Sequence, residues 1–396
     1  MKDFRPVALT PVLAKCMERI VCNKLTSSVA DRMDPLQFAY RAGRGVEDAT
    51  LTLVHLIAQH LDTANTSVRI LFMDMSSAFN TIQHHILIEK LVDLCVHSDI
   101  ILWIRQFLCD RPQRVCLKGN ESHQTVVSNQ IVLNSGCPQG CVLSPVLFSL
   151  YINDISCNDP ILTLLKYADD MALIGRLIDE DSLAKYFLKI SDLNDSLKLR
   201  YLELNVSKTK ELVCGSMRED ECVTPVVIDG KNVEIVHDFK YLGVTIDDSL
   251  SFNTHADNVH KKAKQQLSLL RKLNAFDVSQ PVLELVYRCL VESILSSNIA
   301  TWFDQLLVKQ KVKLAGVVNS ASKIIGRNQL QLSALYHTAV TRKTNHILKD
   351  TTHPLRQNFQ LLRSGKRYKT ILAHKNVYKK SFTPNAVNIL NASMTR

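Results

Sequence analysis

The segment ILTLLKYADDMALIG (Ile161–Gly175) limits the fold most, because two apolar runs flank the adjacent carboxylates Asp169 and Asp170. Neighbouring carboxylates repel, and each costs free energy unless it is solvated, paired or bound to a cation. Two short strands around a tight turn at Ala168–Asp169 meet both demands, with the runs in a core and the acids at the tip. A second apolar run, VRILFMDM (Val68–Met75), reads as a buried strand and also ends in a carboxylate, Asp74. If these strands share one sheet, three carboxylates meet. Hard oxygen ligands without neighbouring His or Cys suit Mg²⁺, and two such ions about 4 Å apart are a recurring device for in-line phosphoryl transfer. A solvated hairpin tip bearing two acids is the plainer reading, and these residues by themselves leave both open.

The remaining chain alternates helical and extended patterns. Glu47–Leu61 places Leu51, Val54, Ala58 and Leu61 on one helical face. Ile86–Val96 and Ile100–Leu108 also predict helices, and DRPQR (Asp110–Arg114) breaks the pattern. Asp181–Leu199 spaces Leu183, Phe187, Ile190 and Leu197 as an amphipathic helix. Asp229–Gly230 sits between apolar runs, a hairpin signal, and Phe239–Asp247 predicts one further strand. Thr254–Leu273 predicts a helix capped by Thr254, with Ala256, Val259, Ala263, Leu267 and Leu270 along one stripe. Composition shifts near residue 250 from mixed to helical and basic, which sets a subdomain boundary there.

With 396 residues, 46% of them hydrophobic, the chain has material for two or three subdomains. Eleven cysteines, none in a CxxC pair, fit buried thiols in a reducing compartment and exclude a disulfide framework or a zinc knuckle. The uncharged stretch Ser122–Asn153 is broken by Gly136, Pro138, Gly140 and Pro145, so it does not suit a membrane helix, and MKDFRPVALT lacks the plan of a signal peptide. The expectation is a soluble, intracellular protein of nucleus or cytoplasm, neither secreted nor membrane-bound. The formal charge is +10, and residues 351–396 hold nine Lys or Arg and no Asp or Glu. Within them RSGKRYKTILAHKNVYKK interleaves bases with Tyr368 and Tyr378, which suits phosphate contacts with base stacking.

An ordered series of segments resembles the reverse transcriptases of non-LTR (LINE-type) retrotransposons. FMDMSSAFNTI (Phe72–Ile82) is similar to their first catalytic motif, NSGCPQGCVLSPVLFSLYIND (Asn134–Asp154) to the Pro-Gln-Gly motif and its helix, and YADD (Tyr167–Asp170) to the second catalytic motif. LELNVSKTKEL (Leu202–Leu212) and KYLGVTID (Lys240–Asp247) resemble the two later palm motifs. DFRPVALTPVLAKCMERIV and LQFAYRAGRGVEDAT resemble fingers blocks that bind template and nucleotide, and the likeness runs on through CLVESILSSNIATWF, HPLRQNFQLLRSGKRYK and SFTPNAVNILN. Such elements usually carry an endonuclease and more fingers sequence ahead of the DFRP block, so the chain resembles the C-terminal part of a longer polyprotein.

The resemblance implies an α+β right-hand polymerase with a ferredoxin-like palm, partial fingers and a helical thumb. Its expected divisions are 1–65 (partial fingers), 66–250 (palm with remaining fingers elements), 251–330 (thumb) and 331–396 (basic C-terminal region). It implies RNA-directed DNA synthesis with RNA template, DNA primer or target DNA, and dNTPs as partners; the sequence does not specify an oligomeric state. Asp74, Asp169 and Asp170 would hold two Mg²⁺, with Mn²⁺ as a substitute. Arg41, Phe79, Gln139, Gly140 and Lys208 or Lys210 would contact the nucleotide. Tyr241, Leu242 and Gly243 would meet the primer, and Arg5, Arg363, Lys366, Arg367 and Lys369 would meet nucleic acid. Two alternatives are a catalytically silent, nucleic-acid-binding remnant and a viral-type RNA-dependent RNA polymerase. The second is disfavoured by Phe79, since a small or acidic residue would stand there.

Overall fold

The protein is described from a computed structural model covering residues 7–118, 125–157, 159–215 and 224–394. Two helices lead the chain, α1 (Val12–Val29) and α2 (Val46–Asp62). The central sheet then assembles from β1 (Ser67–Met73), β2 (Leu162–Tyr167), β3 (Asp170–Leu177), β4 (Lys210–Cys214) and β5 (Glu234–Val236). Its order is β5-β4-β1-β3-β2, antiparallel except for the β4–β5 pair. Between β1 and β2 lie α3 (His84–Asp93), α4 (Ser98–Leu108) and α5 (Ser144–Tyr151), and α6 (Glu180–Lys198) joins β3 to β4. The β4-β1-β3-β2 order with these crossings is ferredoxin-like, so the expected α+β class and palm are both present.

Strand side chains alternate, so each face of the sheet builds its own core. Ile70, Phe72, Ala172, Ile174 and Leu212 join the cluster that includes α2, whereas Leu71, Met73, Met171 and Leu173 join the one formed with α3 to α6. Arg69 and Glu211 are buried on adjacent strands and meet at 2.9 Å, and the Tyr186 hydroxyl donates to the Glu211 carboxylate at 3.1 Å. Opposite Arg69 stands Gly175, where a Cβ would lie 2.5 Å from the Tyr186 ring; only glycine admits that ring.

Phe239–Asp247, expected as one strand, is instead a hairpin of β6 (Asp238–Tyr241) and β7 (Val244–Asp247). Leu242 and Gly243 both take positive φ, the backbone a two-residue turn needs, and only the glycine signals this in the sequence. Five longer helices follow: α7 (Asn253–Ala275), α8 (Gln280–Tyr287), α9 (Val308–Ile325), α10 (Leu332–Lys349) and α11 (Phe382–Met394). The predicted apolar stripe of α7 is buried, but Thr254 does not cap it. Phe252 occupies the cap position in a left-handed conformation, and Asp247 accepts from the backbone N–H groups of Ser251 (2.8 Å) and Phe252 (2.7 Å).

The basic C-terminal region is no solvated tail. It wraps α2: Thr383 and Asn358 bond the two ring nitrogens of His55 (3.0 and 3.3 Å), and Asp62 accepts from the backbone of His374 and Lys375. Tyr378, expected to stack on bases, is 5% exposed with its ring 5.7 Å from that of His55, so it belongs to the core. Tyr368 is half-buried.

Burial pushes the imidazoles of His55, His60 and His255 down to about 4. The unfolded chain binds protons on them below about pH 6.5, while the folded chain takes them only near 4. Stability is therefore complete above pH 6.5 and falls as pH drops through 4, with His55 alone contributing on the order of 3 kcal/mol. The thermal midpoint, measured by calorimetry from pH 8 to pH 4, should stay level to about 6.5 and then decline; a level midpoint down to pH 4.5 contradicts this account.

Candidate active site

The apolar runs around Asp169 and Asp170 form the antiparallel pair β2–β3, and Ala168 turns between them with φ +55°. Asp74 follows β1 one residue beyond the last β1–β3 pair, Met73 with Met171, which sets it at the level of Asp170. Asp169 and Asp74 are half-buried, and Asp170 is exposed. Among the described residues no group of three His, Cys, Asp or Glu side chains stands close enough to hold a metal ion as placed. The backbone thus brings the carboxylates to one end of the sheet, and the side chains are not drawn together.

The charge at this end is concentrated and negative. Burial raises the Tyr40, Tyr167 and Tyr241 hydroxyls, and the Asp170 carboxylate raises all three further, joined at Tyr40 by Asp169. The nearby cation is Lys208, 66% exposed, whose ammonium lies 3.7 Å from Asp74 Oδ2. Lys210 instead bonds Glu234 at 2.7 Å and the Ser207 carbonyl at 2.8 Å, so of the two lysines only Lys208 faces the carboxylates. Hard oxygen donors in a negative field are the ligand type that a divalent cation such as Mg²⁺ takes, and as placed these carboxylates do not yet converge on one such ion.

The YADD turn is held from behind by the start of the LQFAYRAGRGVEDAT block and the two residues before it, a contact that the sequence did not announce. Asp34–Phe38 runs along β2, with Lys166 N–H donating to the Leu36 carbonyl and Phe38 N–H to the Lys166 carbonyl, both at 2.9 Å. Lys166 is fully buried; its ammonium meets Asp34 Oδ2 at 2.7 Å and donates to the carbonyls of Ile152 and Ile155. Burial lowers its pKa, and the Asp34 charge opposes that. The buried Gln37 side chain accepts from Ala168 N–H at 3.3 Å, at the turn itself.

Beside the carboxylates, Phe79 is half-buried with its ring 4.8 Å from that of Phe148, and its carbonyl accepts from Cys137 N–H at 2.7 Å. Gly136 has φ +75°, and a Cβ there would lie 2.8 Å from the Asn80 carbonyl, so glycine alone permits this approach. The Gln139 amide donates to Asn80 at 3.1 Å. Gly140, at φ +99°, is overlain by Val7 and Ala8. Glu18 of α1, fully buried, accepts from the N–H groups of Val142 (2.6 Å) and Leu143 (3.1 Å) just ahead of α5. A carboxylate at a helix N-terminus is stabilised by the free N–H groups and the helix dipole. Nothing in the spacing of Glu18 from the Pro-Gln-Gly turn, more than a hundred residues away, announces this contact.

The β6–β7 hairpin stands on β1 through rings: Phe239 stacks on Phe72 at 4.3 Å, and Tyr241 lies 5.3 Å from it. This places Tyr241, Leu242 and Gly243 next to the strand that carries Asp74. Arg41 bonds the Asp34 carbonyl at 2.8 Å, and Arg44 binds Asp350 at 2.8 Å. Arg363, Lys366, Arg367 and Lys369 are all exposed on a turn closed by a Leu361–Tyr368 bridge, and Arg5 lies outside the described residues.

Residues 1–246 match the family described as reverse transcriptase (RNA-dependent DNA polymerase), and residues 252–293 match the N-terminal region of the alkylated DNA repair protein alkB homolog 8. The RNA-directed DNA polymerase from mobile element jockey of Drosophila melanogaster is 25% identical over 286 residues, 69% of this chain and 30% of the relative. Its counterpart from Drosophila funebris is 26% identical over 307 residues, 73% of this chain and 32% of the relative. The chain thus spans about a third of the length of these curated relatives. Among solved structures, apo telomerase from Candida tropicalis aligns over 87% of this chain and 61% of its own, at 14% identity and a TM-score of 0.42. The matched span carries both carboxylate strands, the Pro-Gln-Gly turn and the β6–β7 hairpin, and by it the chain belongs to the reverse transcriptase family, among those of non-LTR retrotransposons.

Proposed function

We propose that the chain is the polymerase part of a non-LTR retrotransposon protein, adding dNTPs to a primer 3′-hydroxyl under the direction of an RNA template. The observation that supports this most is the arrival of Asp74 and the Asp169–Asp170 turn at one end of the palm sheet, inside the span that matches the family. Asp74, Asp169 and Asp170 would hold two Mg²⁺, or Mn²⁺ in their place, which supply charge neutralisation and nucleophile activation for phosphoryl transfer. Lys208, beside Asp74, is placed to neutralise departing pyrophosphate better than Lys210, which Glu234 occupies. Phe79, braced on Phe148, would present its free side to the incoming sugar, while Gln139 and Gly140 would border the nascent pair.

Leu242 and Gly243 would support the primer end, with Tyr241, 3% exposed, buried against Phe72 and supporting their turn. Arg41 would approach the triphosphate, and Arg363, Lys366, Arg367 and Lys369 would contact backbone phosphates. We assign 1–65 to partial fingers, 66–250 to the palm, 251–330 to the thumb and 331–396 to the basic C-terminal region. No helix among the described residues is long and apolar enough to cross a membrane, which suits work on nucleic acid in nucleus or cytoplasm. The second reading is a silent, nucleic-acid-binding remnant, favoured by the carboxylates not standing as a ready metal-holding group.

Primer extension by the purified chain decides between them. Asp74→Asn or Asp169→Asn should abolish extension and leave template affinity near wild type, since removing a negative charge does not weaken attraction to phosphate. Extension at the wild-type rate by either variant ends the carboxylate assignment.

Glu18→Ala strips an acceptor from two N–H groups ahead of α5 and should cost about 2 kcal/mol of stability, raising the KM for dNTP more than it weakens template binding. Glu18→Gln keeps an acceptor oxygen and should recover most of both; equal effects of the two variants contradict the capping role.

Phe79→Val should raise rNTP incorporation relative to dNTP by removing a clash with the 2′-hydroxyl. If the ratio measured on matched substrates stays constant while the melting temperature falls, Phe79 is only a core residue.

A further inference from the structure

Between Asp304 and Asp350 the chain holds no Asp or Glu, and none follows Asp350. Residues 305–396 therefore carry seventeen Lys or Arg against one acid. That acid is engaged: Asp350 binds Arg44 Nε at 2.8 Å and accepts from the Thr352 backbone and hydroxyl. The positive charge of this last quarter of the chain is thus not cancelled within it, and only Lys311, Lys313, Arg327 and Lys343 pair with acids elsewhere among the described residues. It extends well before the tail, and it lies outside the span matched by the reverse transcriptase family.

Helix α10 gathers part of this charge on one face. Leu332, Tyr336, Val340 and Ile347 are buried, while His337, Thr341, Arg342, Asn345, His346 and Lys349 form an open furrow along the outer side. Each of those six side chains offers a hydrogen-bond donor; none is acidic and none is a large apolar group. Lys343, on the flank, is spent on Glu47 and Asp48, but neither Arg342 nor Lys349 forms an ion pair among the described residues. From His337 to Lys349 the helix rises ~18 Å, about five nucleotides at a 3.4 Å rise per strand. A surface of that length rich in hydrogen-bond donors, with two cationic side chains and no acid, Phe, Tyr or Trp, suits phosphate oxygens rather than base faces.

We propose that this face of α10 binds a nucleic-acid phosphodiester backbone, as a site separate from the polymerase cleft. Arg342 and Lys349 supply the permanent charges, and Thr341 and Asn345 supply neutral donors between them. The site holds the strand without reading its sequence.

The test uses the full chain, without dNTP or divalent cation, and a labelled single-stranded 30-mer as RNA and as DNA of the same sequence. Each neutralised phosphate contributes about 0.7 to the slope of log affinity against log salt for a single strand. Arg342→Ser with Lys349→Ser should therefore lower the slope by about 1.4 and weaken binding at fixed salt. A fall with RNA alone, DNA alone or both supports the site and identifies its ligand; unchanged slopes with both overturn it. The exchange Arg342→Lys with Lys349→Arg should keep the slope, and a fall there too also overturns the proposal, because the effect is then not one of charge. Asp74→Asn leaves α10 intact and should show the wild-type slope even if it extends no primer, so failure of the polymerase reading and failure of this one are told apart.

Discussion

The buried pair Lys166–Asp34 is the interaction on which the carboxylate end of the sheet depends. A lysine wholly removed from water loses hydration worth several kcal/mol, and the return comes only if its ammonium is fully engaged. Here it is: one carboxylate and carbonyl groups from the turn after α5 surround it. Three segments distant in sequence thereby share one cation. The segment at Asp34, the β2 edge strand and the chain leaving α5 are fixed to each other one residue before Tyr167. An exposed edge strand would otherwise leave its N–H and C=O groups open, and Leu36–Phe38 closes part of that edge while Gln37 holds the turn at Ala168. Removing either partner would leave a buried charge alone, which costs about 3–5 kcal/mol in general, so the pair constrains geometry more than it adds stability.

The same logic orders the Pro-Gln-Gly turn. Glu18 reaches from α1 to the backbone ahead of α5, and Gly136 lies against Asn80, so the Pro-Gln-Gly turn is held between the first helix and the segment that follows β1. Phe79 receives a bond from Cys137 on its carbonyl and a ring contact from Phe148, which fixes its position relative to Asp74 through protein contacts alone. These links make the site a property of the packed fold and not of a loop.

The sequence revealed what repeats at short range. The β2–β3 hairpin, β1, α2, α6 and the buried stripe of α7 all follow from periods of two or 3.6 residues, and each stands where it was expected. What it hid depends on partners far along the chain. Glu18, Gln37 and Lys166 look like ordinary polar residues until the elements that bury them are in place, and Tyr378 looks like a stacking residue until α2 covers it. The β6–β7 turn was missed because Leu242, an apolar residue, carries a positive φ that a strand pattern does not forecast. Thr254 failed as a cap because the helix begins one residue before it, at Asn253, with Phe252 in the cap position behind the Asp247 turn.

Asp350 joins these two themes, packing and charge. As the sole acid after Asp304 it would be the natural counter-charge to the basic surface around it, yet its carboxylate points to Arg44 just ahead of α2, where Thr352 also binds Arg44 Nη2 at 2.8 Å. Lys343 and His353 reach in the same direction, to Asp48 at the start of α2. The acids that hold the C-terminal region in place thus belong mostly to the front of the chain, and the one that does not is turned toward an arginine there. Cross-links of this kind fasten the basic region to α2 without neutralising its outer face. A helix such as α10 can then be rigidly mounted through its inner side and still present uncancelled charge outward, which is the combination a surface needs to hold a flexible polyanion at low entropic cost.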